Sequence, residues 1–210
     1  RPKLLYSLFL LFLFLTSSIS AQDNQLQSYT LEDGLPQSQV YDILQDEKGY
    51  LWLGTQGGGL SRFNGEEFKV WNEDNGLLSN YIFSLAQSND TLFIGTRRGF
   101  SIKYKENFTN YEGPKINKII LLNNRILLAT NIGLYEFKKK NGIGKVNISS
   151  SINTSIINDI IYDGKLYWVA TNKGLWKLSS LSENPQIDAR HSAYNFTAAT
   201  LHNDVLYTSA

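Results

Sequence analysis

Residues 39–71 contain four short apolar segments separated by three polar or glycine-rich turns. The segment 60–63 alternates apolar and polar residues, which is the period of a half-buried β-strand. Asn64 and Gly65 then form a strong hairpin signal before the last segment, which ends at Trp71. The pattern predicts a small antiparallel sheet. Because such a sheet cannot bury both apolar faces alone, we expect neighbouring sheets.

The second of these segments, residues 51–55, recurs along the chain. Its copies are residues 92–96, 126–130, 167–171 and, more weakly, 206–210. Their last residues, 55, 96, 130, 171 and 210, are spaced by 41, 34, 41 and 39 positions. A glycine-led strand follows each of the first four copies. The fourth residue of every copy is small, which predicts a close approach of neighbouring sheets there.

A repeat of about 40 residues with four strands is typical of a β-propeller. We therefore predict an all-β fold, an incomplete β-propeller with about four blades plus the start of a fifth. A β-sandwich with irregular repeats is the alternative. The predicted blades are residues 39–73, 80–112, 115–150, 155–188 and 194–210.

Residues 26–35 align with residues 68–77 at a constant offset of 42. Residues 26–31 are therefore predicted to form the outer strand of a closing blade, since residues 68–71 form the outer strand of the first complete unit. Ring closure would remove the open sheet edge. The fifth unit stops within its second strand, so we expect the chain to be a fragment of a longer protein.

These residues also carry a family resemblance. The stretch GLPQSQVYDILQDEKGYLWLGTQGGGLSRFNGEEFKVW, residues 34–71, resembles the two-component regulator propeller repeat. The resemblance is fair over residues 76–111 and looser in the later units. It implies the extracytoplasmic sensor region of a hybrid histidine kinase. It is specific for the repeat and much less specific for the activity of the whole protein.

Residues 1–21 have the pattern of a secretory signal peptide. Arg1 and Lys3 precede an apolar run of twelve residues, 4–15, and small or polar residues follow. Because a helix needs about 20 residues to span a bilayer, we predict cleavage after Ala21, with an uncleaved anchor as the alternative. Residues 22–210 would then be the partial propeller of an exported protein, periplasmic or extracellular.

Composition narrows the chemistry. The 20 Lys and Arg residues nearly balance the 19 Asp and Glu residues, which argues against a nucleic-acid partner. The absence of cysteine excludes disulfides and a lipid-modified cysteine anchor. The glycine-rich turn 57–59 lacks the Gly-Lys-Ser/Thr and the helix of a phosphate-binding loop. His191 and His202 do not have a metal-ligand spacing, so we expect no metal, no cofactor and no catalytic residue in this segment.

The turns that follow the recurrent strand are polar. If the units are blades, these turns lie at equivalent positions on one face and form a ring of hydrogen-bonding groups, which we call the crown. We predict that the crown binds a ligand, although exposed turns are commonly polar because water surrounds them. The crown consists of Gln56, Arg97, Arg98, Asn131, Asn172 and Lys173.

The function predicted from these observations is ligand sensing by the extracytoplasmic propeller of a membrane-bound two-component sensor. A histidine kinase in a missing C-terminal part of the same chain, anchored in the inner membrane, would give the output. The expected ligand is a small molecule or an oligosaccharide, and homodimerisation is left open. One alternative is a secreted propeller that acts as a binding or scaffold subunit without a kinase. A propeller enzyme is a third, but the clustered carboxylates it needs are not evident.

Overall fold

The computed structural model describes residues 26–122, 125–148, 150–181, 194–202 and 205–209. The predicted signal peptide and His191 lie outside the described residues. Within them, strands form five antiparallel sheets, and each strand pairs with the strand next to it in sequence. This meander is the blade of a β-propeller, and the all-β fold predicted from the sequence is confirmed.

The strands fall within the predicted units. The first blade comprises β1 (Val40–Gln45), β2 (Leu51–Thr55), β3 (Leu60–Phe63) and β4 (Phe68–Trp71). The second comprises β5 (Ile82–Ser88), β6 (Thr91–Thr96), β7 (Gly99–Tyr104) and β8 (Asn107–Glu112). The third comprises β9 (Ile116–Leu122), β10 (Arg125–Thr130), β11 (Gly133–Lys138) and β12 (Gly142–Lys145). The fourth has β13 (Ile157–Tyr162), β14 (Tyr167–Thr171) and β15 (Gly174–Leu178), and the fifth has β16 (Ala198–His202) and β17 (Val205–Ser209). One helical turn, α1 (Ser150–Asn153), precedes the fourth blade.

The first strand of each blade packs against the first strand of the next, so that β1, β5, β9, β13 and β16 follow one another on the inner side. The first four of these strands carry the same β-bulge. One extra residue interrupts the pairing with the second strand, and these extra residues are Tyr41, Phe83, Asn117 and Asn158. Because a bulge redirects the side chain of its extra residue, the bulge gives each blade one side chain outside the sheet alternation.

The residue after the bulge joins neighbouring inner strands. The Asp42 carboxylate accepts a hydrogen bond from the amide of Leu85 at 2.8 Å. The Ser84 hydroxyl accepts one from the amide of Ile119 at 3.0 Å. In the fourth blade, the Asp159 carboxylate accepts one from the amide of the fifth blade's Ala199 at 3.2 Å. Burial raises the pKa of Asp159, and the hydrogen bond from Ala199 opposes that rise.

Separate apolar cores fill the spaces between successive blades. The second residue of the recurrent strand contributes to each core: Trp52, Phe93 and Leu127 are buried. Trp168 differs from these three, because it is only partly buried at the edge of the fourth core. Its ring nitrogen donates to Asp163 at 2.9 Å, so the indole spans the core and a polar turn.

The small fourth residue of the recurrent strand lies where neighbouring blades approach closely, as predicted. A Cβ atom at Gly54 would be 2.6 Å from the Ile82 side chain of the next blade. A Cβ atom at Gly95 would be 2.8 Å from Ile116. The third blade has Ala129 at this position, and its methyl group is fully buried in the core that includes Ile157.

The offset of 42 between residues 26–35 and 68–77 has a structural counterpart. Residues 30–34 and 72–76 form the same 3₁₀ turn, each with a capping box and a left-handed glycine. Residues 26–30 form no strand, and the Tyr29 ring lies 4.7 Å from that of Phe63 in the first blade. The three partner strands predicted for the closing blade are not among the described residues, so that pairing stays a prediction.

Candidate functional site

The turns of the crown share one local structure, set by the threonine that ends the second strand of each blade. Each threonine is fully buried, and its hydroxyl donates to the carbonyl of the glycine that opens or precedes the third strand. These bonds are Thr55 to Gly59 at 2.8 Å, Thr96 to Gly99 at 2.9 Å, Thr130 to Gly133 at 2.6 Å and Thr171 to Gly174 at 2.7 Å. The side chains between them therefore project from a fixed turn.

The first crown residue of each turn is also anchored through its backbone. Its amide donates to the carbonyl of a residue just before or at the start of the inner strand. The four bonds are Gln56 to Gln39, Arg97 to Tyr81, Asn131 to Lys115 and Asn172 to Ile156, at 3.0, 3.0, 3.3 and 3.1 Å. The six predicted crown residues consequently lie at one end of the blades, in equivalent turns. Ligand binding by these residues stays a prediction.

The crown side chains differ in what already engages them. Arg98 lies 3.5 Å from the carboxylate of Glu73 and 3.6 Å from that of Glu112. The amide oxygen of Asn172 accepts from the Ile156 backbone at 3.0 Å, so this side chain closes its own loop. Asn131, Lys173 and Arg97 are exposed. The Arg97 guanidinium lies 5.2 Å from the centre of the Tyr81 ring and makes no ion pair with any described residue.

A second cation lies close to Arg97. The ammonium of Lys115 is 3.9 Å from the centre of the Phe83 ring, and Phe83 stacks on Tyr41 at 4.9 Å. Burial and, to a smaller extent, the charge of Arg97 lower the pKa of Lys115. Among the described residues neither cation has an acidic partner within 4.0 Å. We call Tyr41, Tyr81, Phe83, Arg97 and Lys115 the mouth cluster.

The mouth cluster places cations and aromatic faces at the inner side of the crown. Guanidinium and ammonium groups donate hydrogen bonds to acceptor oxygens, and the aromatic rings offer apolar contact surfaces. The extra residue of the bulge is aromatic in the first two blades, Tyr41 and Phe83. It is an asparagine in the third and fourth blades, Asn117 and Asn158. Those asparagines instead donate to the backbone carbonyls of Ile157 and Phe196 at 2.8 and 2.6 Å. The five members of the cluster therefore come from the first three blades.

Sequence reasoning found Arg97 but missed the other four members of the cluster. Lys115 precedes an inner strand and is not in a crown turn. Tyr41 and Phe83 lie inside strands, where aromatic residues are expected in the core. Their shared spacing of 42 residues was an available signal, but its meaning depends on the bulge.

The described residues contain no group of three or more His, Asp or Glu side chains placed to hold a metal ion. The helices in that part of the chain are too short or too polar to cross a membrane.

Residues 34–57 match the family model described as two component regulator propeller. Over 64 residues the chain is 47% identical to Histidine kinase P4 of Formosa agariphila. That match covers 30% of this chain and 5% of the kinase, so the chain spans a small part of its relative.

Solved structures show the same fold. The extracellular domain of the hybrid two-component system BT3049 from B. thetaiotaomicron has a TM-score of 0.68 and 18% identity, covering 90% of this chain and 27% of that domain. PorZ, a bacterial surface component of the type-IX secretion system of Porphyromonas gingivalis, has a TM-score of 0.63 and 14% identity. That match covers 87% of this chain and 26% of the PorZ chain. The resemblance predicted from the sequence is confirmed: residues 34–57 match the two-component regulator propeller repeat, and they lie within a β-propeller.

Proposed function

We propose that this chain is the ligand-sensing part of an exported two-component sensor, with the kinase in another part of the same protein. The observation that carries the proposal is the propeller repeat at residues 34–57, together with the identity to a histidine kinase over 64 residues. The extracellular location of the structurally similar two-component domain supports export. Anchoring in the inner membrane follows from the need to pass a signal to a cytoplasmic kinase.

The mouth cluster is the proposed ligand contact on the crown. Arg97 and Lys115 have no acidic partner among the described residues, so their donors are available to a ligand. Tyr41 is 42% exposed, and its ring extends the surface formed by Phe83. A small molecule or oligosaccharide with several acceptor oxygens fits these donors and rings. Three further crown residues, Gln56, Asn131 and Lys173, would add hydrogen bonds from neighbouring blades.

The proposal is tested by calorimetric titration of the whole extracytoplasmic region with the solute that activates signalling in cells. Arg97→Ala should weaken binding roughly ten- to a hundredfold, since a hydrogen bond to a charged group contributes about 1.5–3 kcal/mol. Arg98→Ala is the matched control, because the Arg98 guanidinium is held by Glu73 and Glu112. It should bind with nearly the wild-type affinity.

If Arg97→Ala is folded and binds the ligand with the same affinity as the wild type, the crown is not part of the ligand-binding site. The sensing role has a separate test in cells. Deleting the part of the full-length gene that encodes the proposed kinase should abolish the transcriptional response while leaving ligand binding to the propeller unchanged. A full response without any linked kinase would favour the alternative, a secreted binding or scaffold subunit.

A further inference from the structure

A cleft of about 530 Å³ opens between the first and second blades. It is bordered by the β1–β2 turn, residues 46–50, and by Lys105 and Glu106 in the β7–β8 turn. In an antiparallel meander these turns lie at the opposite end from the turns between second and third strands. The cleft is therefore remote from the crown, and both blades that form it are complete among the described residues.

A buried lysine lies in this cleft at a position that is apolar in the other blades. Lys103 pairs with Leu92, the first residue of the recurrent segment in its blade. The residues with the same pairing in the first, third and fourth blades are Phe63, Phe137 and Leu178. Lys103 is only 4% exposed, as buried as those apolar side chains. Because burying an ammonium costs free energy, this substitution within the repeat needs an explanation.

The surroundings of Lys103 do not supply an ion pair. Its ammonium lies 4.5 Å from the centre of the Trp71 ring and donates to the backbone carbonyl of Lys105. Burial lowers the pKa of Lys103; the charge of Glu106 opposes this effect, and the charges of Lys69 and Arg62 add to it. Four acidic and four basic side chains line the cleft as a whole, but Lys103 has no carboxylate within 4.0 Å among the described residues.

Arg62 provides a second cation in the same cleft. Its guanidinium lies 4.4 Å from the centre of the Tyr50 ring and 5.6 Å from that of Trp52. The Nε atom is buried and has no hydrogen-bond partner in the described part of the chain. A guanidinium normally uses its planar fork of donors on carboxylates, phosphates or carbonyls. Here the ring contacts hold the group in place and leave its donors unused.

The acidic residues near the cleft are mostly engaged elsewhere. The Asp46 carboxylate accepts from the Trp52 ring nitrogen at 2.9 Å and from turn amides. Asp90 pairs with Lys48 at 3.3 Å, and Glu106 pairs with Lys69 at 3.2 Å. Glu47 is exposed on the rim. Arg62 and Lys103 are therefore the charged side chains that face the buried part of the cleft.

We propose that this cleft binds a small molecule through a carboxylate, sulfate or phosphate group held between Arg62 and Lys103. The two cations supply complementary donors, a planar fork from Arg62 and a compact point charge from Lys103. Anion binding would offset the cost of burying Lys103. The stacked rings of Trp52 and Trp71, 5.4 Å apart, form a rigid wall that holds both cations in place. A volume of about 530 Å³ accommodates a ligand of the size of one or two sugar rings.

Calorimetric titration of the whole protein with sulfate, phosphate and glucuronate, at constant ionic strength with chloride as the reference salt, tests this proposal. The wild type should bind at least one of the three anions saturably, and the tightest of them identifies the anionic group. Arg62→Leu and Lys103→Leu should each lower the affinity at least about tenfold. Lys103→Leu installs a side chain of the kind found at this position in the other blades, so the fold should persist, and thermal unfolding checks this.

The matched control is Lys177→Leu. Lys177 has the same pairing in the fourth blade as Arg62 in the first, and its ammonium lies 4.9 Å from the Trp168 ring. It should bind with wild-type affinity. The proposal is overturned if no anion binds the wild type saturably, if either cleft variant keeps wild-type affinity, or if Lys177→Leu loses binding to the same extent. The variants leave Arg97 intact, so failure here is separate from failure of the proposed crown site.

Discussion

The first and second inter-blade spaces are formed by equivalent strands but have different character. In the first, Arg62 and Lys103 lie on the rings of Trp52 and Trp71. In the second, the corresponding places are filled by apolar side chains, including Ile102 and Phe137. A cleft of about 660 Å³ is present there too.

The backbone does not explain this difference. Arg62 pairs with Trp52 in the first blade, and Ile102 pairs with Phe93 in the second, at the same register of the repeat. Glu136 has this register in the third blade, and its carboxylate bonds Arg125 at 2.7 Å. One position of the repeat thus holds an unpaired cation, an apolar residue or a paired acid. The repeat forms the cleft, and two side chains, one from each neighbouring blade, determine what the cleft can bind.

The largest effect is expected from giving the second cleft the lysine of the first. Phe137 is buried and packs on Phe100 at 5.1 Å and on Tyr111 at 4.8 Å. Phe137→Lys should lower the free energy of unfolding by about 3–5 kcal/mol, because it removes a core ring and buries an ammonium. Urea denaturation measures the change.

Phe137→Leu is the control for the loss of ring volume alone and should cost clearly less than Phe137→Lys. A loss of less than about 1 kcal/mol in Phe137→Lys would contradict the proposed difference between the two clefts. It would mean that any blade tolerates a lysine at this position by stacking it on aromatic rings, and that Lys103 needs no ligand to account for it.

Much of this architecture could be predicted from the sequence because it is periodic. Residues 51–55 recur with their flanking turns, and the hairpin at Asn64-Gly65 is a local signal. The small residues at Gly54 and Gly95 indicated a close approach, and each lies against an isoleucine of the next blade. Repetition makes such features visible, since every copy supports the others.

The two sites were less predictable because they depend on departures from the repeat. Tyr41 and Phe83 belong to the mouth cluster through a bulge, and a bulge leaves no mark in the alternation of apolar and polar residues. Lys103 is the penultimate residue of the alternating strand β7 and, in the sequence, resembles an ordinary exposed lysine. It is buried because Trp71 and Phe108 from neighbouring strands cover it, which only the tertiary structure shows.

A smaller effect should follow from removing the acid of the third blade. Arg125 bonds Glu136, whose pKa this bond and, to a smaller extent, the nearby Lys138 hold below the ordinary value. A lowered carboxylate pKa stabilises the fold above the unfolded-state pKa, and the benefit is lost as the pH falls through the native value. Glu136→Gln should therefore cost about 1–2 kcal/mol near neutral pH and progressively less in acid.

Chemical denaturation of the wild type and Glu136→Gln at several pH values measures this difference. Arg125 is 39% exposed, so solvent weakens the pair and a larger cost is not expected. A difference that grows toward acid would contradict the assigned pKa direction.

Lys103→Leu, in contrast, should raise the free energy of unfolding. Burial lowers the pKa of Lys103, so the native state disfavours the ammonium and the wild type bears this cost at neutral pH. The variant should gain about 1 kcal/mol in the absence of anions, since a well-packed apolar side chain often improves on a buried charge. The gain should shrink as the pH rises through the lowered pKa, because the native lysine then becomes neutral. A loss of stability would show that the contact with Trp71 outweighs the burial cost.

The smallest effect is expected at the rim of the first cleft, where Lys48 and Asp90 form an ion pair at 3.3 Å. Both side chains are 70% exposed, so water and salt screen the charges and little packing is lost on truncation. Lys48→Ala should change the free energy of unfolding by less than about 0.5 kcal/mol and should leave anion affinity within about twofold of the wild type. Denaturation and titration of the same sample measure both quantities. A tenfold loss of anion affinity in Lys48→Ala would show that the anion is bound by the rim lysine and not by Arg62 and Lys103. The difference between the two clefts would then be a difference in surface charge and would not depend on the buried lysine.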